Sequence, residues 1–299
     1  SMPELPEVES LRISLKPYIV GKYINAIIVH KPKLVSGSGT IRQALEYKKQ
    51  EFESQLIGAE IVDITRIAKN LIIHLSTGQI ILIHLKMTGQ LVYQDNNQNK
   101  VLGGHPIELS ESKLPNQHSH IIFKLDQGTL YYNDIRMFGY VLLYPDLDTI
   151  YKLGHFDKIG LDPFDDKFTA EYLYKHLKAK KSKLKTILLN QEIVTGLGNI
   201  YADEVCFKAG ILPIRLANTL TKKEVNKLYQ AIVIIIPKAV EMGGSSIANY
   251  IMADGSRGTY AREHKVYGKA GKQCFGCEKP LQKTVINSRT TVFCQFCQR

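Results

Sequence analysis

The sequence predicts a multidomain α+β protein: an N-terminal β-sandwich with a flanking helix, a C-terminal helical domain, and a short cysteine-bearing hairpin at the end. Three observations carry this. Turn signals punctuate short apolar segments through the first half, the hydrophobic period becomes helical beyond about Gly160, and four of the five cysteines lie in the last 26 residues. A chain of 299 residues can bury a sizeable core and divide into two domains.

Pro6 and Glu7 mark a helix start, because proline suits the first turn and carboxylates favour the positive end of the helix dipole. Val8, Leu11, Leu15 and Tyr18 then recur every three to four positions, which predicts one amphipathic helix. From Lys22 to about Tyr144 the pattern is strand-like. Segments 23–30, 71–75, 80–85, 120–125 and 140–143 are short, β-branched or aromatic, and bounded by Gly, Asn or Asp. Thr77-Gly78 and Gln127-Gly128 predict hairpins, giving a two-layer sandwich. The polar run 95–99 is expected to be a solvated loop, and 144–155 a linker.

Stretches 170–178, 183–189, 200–209 and 221–242 fit helices. Thr221 with Glu224 three residues on predicts a cap for the last, and Pro237 should kink or interrupt it. Gly243-Gly244-Ser245-Ser246 ends that helix and opens a glycine-bearing segment expected to be mobile. The expected division is residues 2–146, a linker at 147–158, a helical domain at 159–265 and a terminal finger at 266–299.

A formal net charge of +11 and an isoelectric point near 9.2 point to a polyanionic partner. The longest apolar run, 231–236, is far too short to span a bilayer, so the chain reads as soluble and intracellular, with no membrane partner. Cys274-Phe-Gly-Cys277 and Cys294-Gln-Phe-Cys297 are separated by 16 residues, a spacing that lets four thiolates converge on one tetrahedral zinc. Two disulfides are the alternative, disfavoured in an intracellular chain. Four thiolates close the coordination shell, so the zinc is expected to be structural. Cys206, in an apolar helical stretch, reads as a core residue.

The opening Met2-Pro3-Glu4-Leu5-Pro6-Glu7 carries chemistry of its own. A proline at a free N-terminus offers a secondary amine that can form an iminium, and the positive end of a helix keeps more of that amine neutral. Glu4 stands beside it to exchange a proton. Ser1-Met2 resembles a tag remnant; while attached, it makes the Pro3 nitrogen a tertiary amide and is expected to block it.

Several strings then resemble one family, the formamidopyrimidine-DNA glycosylases. They are Pro3-Glu4-Leu5-Pro6-Glu7-Val8-Glu9, Arg66-Ile-Ala-Lys69-Asn70-Leu71, His84-Leu-Lys-Met87-Thr-Gly89, Asn133-Asp-Ile-Arg136-Met-Phe138-Gly139, Thr195-Gly-Leu-Gly-Asn199-Ile-Tyr201-Ala202, and the terminal hairpin with Arg289. The resemblance covers essentially the whole chain. It implies a β-sandwich, a helix-two-turn-helix module and a β-hairpin zinc finger, with double-stranded damaged DNA in the cleft between. It also implies a cytoplasmic, bacterial-type, nucleoid-associated monomer that removes oxidised purines from DNA and cuts the strand by β,δ-elimination. By that likeness Pro3 is the nucleophile, Glu4 the acid, and Lys69 and Arg289 serve the two eliminations. His84, His118, Lys180, Asn199 and Arg289 are phosphate or other DNA contacts, as is Lys69, with Lys185 an additional one. Met87, Arg136 and Phe138 fill the space that the extruded nucleotide leaves. Residues 245–260 correspond to a loop that closes over the damaged base.

Two positions depart from the pattern. Met137 stands where a second basic residue is common, which predicts weaker or less salt-sensitive DNA binding. Asn190-Gln191 stands where an acidic residue is common. An endonuclease VIII-like enzyme for oxidised pyrimidines and a catalytically silent damage-binding protein are the competing expectations. Leu5 and the set Met87, Arg136 and Phe138 favour the purine enzyme over the first, and an intact Pro3, Glu4 and Lys69 over the second.

Overall fold

The computed structural model describes residues 3–37, 42–104, 113–245 and 258–299, so most of the expected closing loop lies outside the described residues. The chain folds as two compact units, Ser1–Asp157 with Gly243–Thr259 and Lys158–Met242 with Tyr260–Arg299. No helix among the described residues is long and apolar enough to cross a membrane.

In the first unit, helix α1 (Leu5–Ile19) has Glu4 as an extended N-cap and Pro6 in its first turn. Its inward stripe is Leu5, Val8, Leu11, Leu15 and Ile19. Tyr18, expected on that stripe, is 43% exposed, because a four-residue step from Leu15 brings Ile19 inward instead. The other elements are β1 (Ile24–Val29), α2 (Glu46–Gln55), β2 (Ile61–Ile67), β3 (Asn70–Leu75), β4 (Ile80–His84), β5 (Gly89–Gln94), β6 (Lys100–Gly104), β7 (Ser119–Leu125), β8 (Thr129–Asp134), β9 (Tyr140–Tyr144) and α3 (Leu147–Lys152). The strands form two antiparallel sheets, β1-β7-β8-β5-β6 and β2-β3-β4-β9. Leu71, Ile73 and Ile83 of one sheet and Leu91, Phe123 and Tyr132 of the other meet in a single core that also takes the α1 stripe. Helix α1 packs against β5 and β6 of the first sheet and β2 and β3 of the second.

Helix α2 escapes periodicity because Phe52 is its one buried residue. Helix α3 occupies the expected linker, nucleated by Asp146, whose side chain accepts a hydrogen bond from the Thr149 amide at 2.7 Å.

The second unit holds α4 (Ala170–Lys178), α5 (Leu184–Leu189), α6 (Asn199–Ala209), α7 (Lys222–Glu241) and the hairpin β10 (Gln282–Ile286) with β11 (Arg289–Phe293). Thr221 and Glu224 form the expected capping box. Pro237 lies inside α7 without ending it; so near the C-terminus it forgoes one backbone bond while the helix runs on to Glu241.

Lys185 corrects an expectation. It is wholly buried and therefore no DNA contact: its Nζ lies 2.7 Å from Asp203 Oδ1 and donates hydrogen bonds to Thr291 Oγ1 at 2.7 Å and Thr290 O at 3.3 Å. Asp203 Oδ2 in turn accepts from the Val292 amide at 3.0 Å. Burial pushes the Asp203 carboxyl up to about 6 against the pull of Lys185. The pair thus ties α5 and α6 to β11, the strand that Arg289 begins. Removing one member of a buried pair strands the other charge, so Lys185→Ala should cost about 3–5 kcal/mol in urea unfolding. Lys180→Ala, at a half-exposed pair with Glu192, should change it by less than about 1 kcal/mol.

Candidate functional site

Pro3 and Glu4 sit buried at the head of α1, and the Glu4 side chain makes no capping bond to its own helix. One turn further, Glu9 pairs with Arg66 at 3.3 Å, and Arg66 Nη1 donates to Ala68 O at 3.0 Å. Ala68 holds a left-handed φ of 54° in the tight turn between β2 and β3, and Lys69 follows it, 8% exposed. A carboxylate of α1 therefore fixes the turn that carries the lysine.

Strand register places Asn70, His84 and Tyr140 in one row across β3, β4 and β9. Tyr140 OH donates to Asn70 Oδ1 at 3.2 Å. His84 Nδ1 accepts from the Lys86 amide at 3.1 Å, so in the neutral ring the proton is on Nε2, a ready donor. Burial, then the Lys86 and Lys69 ammonium groups, push His84 down to about 3. It therefore works as a neutral donor near pH 7.

Met87, Arg136 and Phe138 come together on exposed loops of the same unit. The Arg136 guanidinium carbon lies 4.6 Å from the centre of the Phe138 ring, and its Nη1 lies 3.7 Å from Met87 Sδ. Behind them is a buried carboxylate that the sequence did not disclose. Asp134 Oδ1 accepts from Thr88 Oγ1 and the Met137 amide, and Oδ2 accepts from Tyr132 OH at 2.7 Å and the Gly139 amide at 3.0 Å. Thr88 Oγ1 also receives the Arg136 amide at 3.0 Å. Gly139 admits no side chain, since a Cβ there would fall 1.9 Å from Tyr132 OH. His118, at the adjoining end of β7, accepts the Asp134 amide through its carbonyl at 3.0 Å and keeps its ring partly exposed. Met137 packs its side chain against the sandwich core.

In the second unit Asn199 opens α6 directly after Gly198, and its Oδ1 is buried with no hydrogen-bond partner among the described residues. Gln191 shapes the preceding turn: its Oε1 accepts from the Gly196 amide at 2.6 Å, while its Nε2 donates to Leu197 O at 2.7 Å and Leu189 O at 3.1 Å. A carboxylate at Gln191 could make the first bond but neither of the others. Lys180 is partly exposed and paired with Glu192 Oε2 at 3.2 Å. Arg289 stands exposed beside the two-residue turn Asn287-Ser288, whose φ values of 51° and 59° are those of a tight hairpin turn.

The four thiols Cys274, Cys277, Cys294 and Cys297 lie within 4.8 Å of one another. Separations of 3.8 Å between Cys274 and Cys297 and 3.5 Å between Cys277 and Cys294 match the edge of a tetrahedron around a metal about 2.3 Å from each sulfur. Amides of Gly276 and Cys297 point at Cys274 and Cys294 sulfurs, which favours thiolates. The set can hold one metal ion.

Two family models match, the formamidopyrimidine-DNA glycosylase N-terminal domain over residues 2–141 and its H2TH domain over 159–250. The chain is 36% identical over 298 residues to the formamidopyrimidine-DNA glycosylase of Carboxydothermus hydrogenoformans, covering all of both chains. Among solved structures, it resembles a Lactococcus lactis Fpg mutant bound to Fapy-dG DNA, with a TM-score of 0.85, 32% identity, and coverage of 99% of this chain and 100% of that one. It also resembles a complex of the same organism's Fpg with DNA containing an abasic site, with a TM-score of 0.84, 32% identity and 99% coverage of both.

The His84 shift predicts an acid limb. Unfolded, this imidazole takes a proton near pH 6.5, but folded only near 3, so between those values the unfolded state binds more protons and stability falls as pH drops. Replacing His84 with Gln should flatten the decline of the urea midpoint across that window; an unchanged slope would contradict the assigned neutral ring.

Proposed function

The chain belongs to the formamidopyrimidine-DNA glycosylase family and is a base-excision repair glycosylase with abasic-site lyase activity, and from that premise we propose how its residues share the work. The observation that carries the proposal is Pro3 and Glu4 at the head of α1, with the Lys69 turn tied to that helix through Glu9 and Arg66.

The preferred substrate is duplex DNA bearing an oxidised purine such as 8-oxoguanine or a formamidopyrimidine. Extruding the nucleotide is necessary because its sugar carbon cannot be reached inside a stacked duplex. The Pro3 amine, once free, bonds to that carbon as the base departs, while Glu4 delivers a proton to the ring oxygen of the sugar. The resulting iminium acidifies the neighbouring sugar protons, and two eliminations then expel the phosphates on either side. Lys69 assists the first and Arg289 the second. Met87, Arg136 and Phe138 occupy the gap, and Arg136 meets the orphaned partner base. His84, His118, Lys180 and Asn199 position phosphates, a task that fixes register without reading sequence.

Zinc is the metal the four cysteines suit, and its work is structural, holding the hairpin that presents Arg289. The enzyme acts in the cytoplasm as a monomer associated with the nucleoid.

Three experiments test this reading. Protein beginning at Pro3 should be trapped by borohydride on an abasic duplex, whereas protein beginning at Ser1-Met2 should not; equal trapping would exclude the Pro3 amine. In a nicking assay, protein beginning at Pro3 should cut duplexes with 8-oxoguanine opposite cytosine faster than those with thymine glycol, and the reverse order would assign it to oxidised pyrimidines. Chelation that removes the metal should weaken DNA binding while the β-sandwich stays folded, as seen by anisotropy and by near-ultraviolet dichroism of its tyrosines.

A further inference from the structure

The turn that carries Arg136 and Phe138 has a second support besides Asp134. Asp134 takes amides of this turn, while the carbonyls of Met137 and Phe138 each accept a hydrogen bond from Nη2 of Arg42, both at 3.2 Å. The Arg42 guanidinium also lies over the Tyr140 ring, 5.9 Å from its centre. Its Nη1 is buried and has no hydrogen-bond partner among the described residues, so this nitrogen is turned into the protein and away from solvent. Arg42 comes from the stretch before α2, so the tie joins segments far apart in sequence.

Such a tie has a physical purpose here. Met137 holds φ at 56°, in the left-handed region that costs a side-chain-bearing residue about 1–2 kcal/mol, so its neighbours must impose the conformation. A carboxylate on the N–H groups and a guanidinium on the C=O groups together do so. Without the guanidinium, two carbonyls lose a charged donor and the turn can relax, and Arg136 and Phe138 then leave their stacked arrangement.

We propose that Arg42 is a positioning residue for filling the gap left by the extruded nucleotide: it locks the 136–138 turn so that Arg136 and Phe138 enter the duplex as a preformed pair. This rests on the glycosylase reading given above. Its effect is confined to duplexes that contain a gap to fill, which separates it from an ordinary phosphate contact.

The test is equilibrium binding of the full chain, by fluorescence anisotropy, to a duplex with a tetrahydrofuran abasic analogue opposite cytosine and to the same duplex intact. Arg42→Ala should weaken binding to the abasic duplex by about tenfold, the scale of one charged hydrogen bond, and change binding to the intact duplex by less than about twofold. Hydrogen exchange at the Met137 and Gly139 amides should quicken, with the unfolding midpoint little changed. Arg42→Lys, which keeps the charge but not the planar fork, should remain defective. Full rescue by lysine, an equal loss on both duplexes, or unaltered binding to the abasic duplex would each overturn the assignment. A wild-type protein with no preference for the abasic duplex would overturn the glycosylase reading itself, and that is seen before any substitution is made.

Discussion

Buried carboxylates are the constraint on which this structure turns. Taking a carboxylate out of water costs several kcal/mol unless fixed donors replace its hydration, so each buried acid organises the backbone around it. Asp134 is completely buried and takes two hydroxyls and two amides. Glu204, at the same depth in the second unit, accepts the successive amides of Lys265, Val266 and Tyr267 at 2.6, 2.9 and 2.8 Å. Asp203 beside it takes Lys185 and the Val292 amide. Asp134 lies behind the turn of Arg136 and Phe138 and Asp203 behind the strand that Arg289 begins, while Glu204 anchors the chain entering the terminal hairpin. A chain with a net charge of +11 thus places several acids inside as templates and, among the described residues, buries only Lys69 and Lys185 of its cations.

Much of this was legible in the sequence, and the limits have physical causes. Helix α4 followed from periodicity, and α7 from periodicity and its capping residues, because a helix with one apolar face repeats its signal over several turns. Helix α2 did not, since with one buried residue there is no stripe to detect. The opening Pro3-Glu4 string drew notice because its residue types are chemically unusual in combination. The buried supports did not, because an aspartate string looks the same whether the carboxylate faces water or four donors. Lys185 is the clearest instance. It was expected as an additional DNA contact, whereas its partner Asp203 lies 18 positions on and on another helix, a pairing that only the packing of α5 against α6 creates.

Of the two departures from the family pattern, Met137 acquires a physical account. At Met137 the side chain packs against the sandwich core, so a cation there would have to leave that contact to reach a phosphate. At Asn190 the side-chain oxygen accepts the Glu192 amide at 3.0 Å, a bond that a carboxylate would make as well, so nothing in the structure explains that departure.

The terminal hairpin shows how presentation and anchoring divide along one element. A two-stranded hairpin is marginally stable alone, and this one is held at two separate places. With a metal bound, the cysteines would grip the ends of its strands, Cys274 and Cys277 before β10 and Cys294 and Cys297 after β11. Lys185 and Asp203 grip β11 itself, at Thr290, Thr291 and Val292, within three residues of Arg289. Metal loss would release the far end first, while the grip nearest the turn persists through side chains that do not touch the metal. Arg289 thus has support from two places, the buried ion pair next to the turn and the cysteine cluster at the far end of the strands. A positive charge held inside the helical unit therefore does its work by orienting another at the surface.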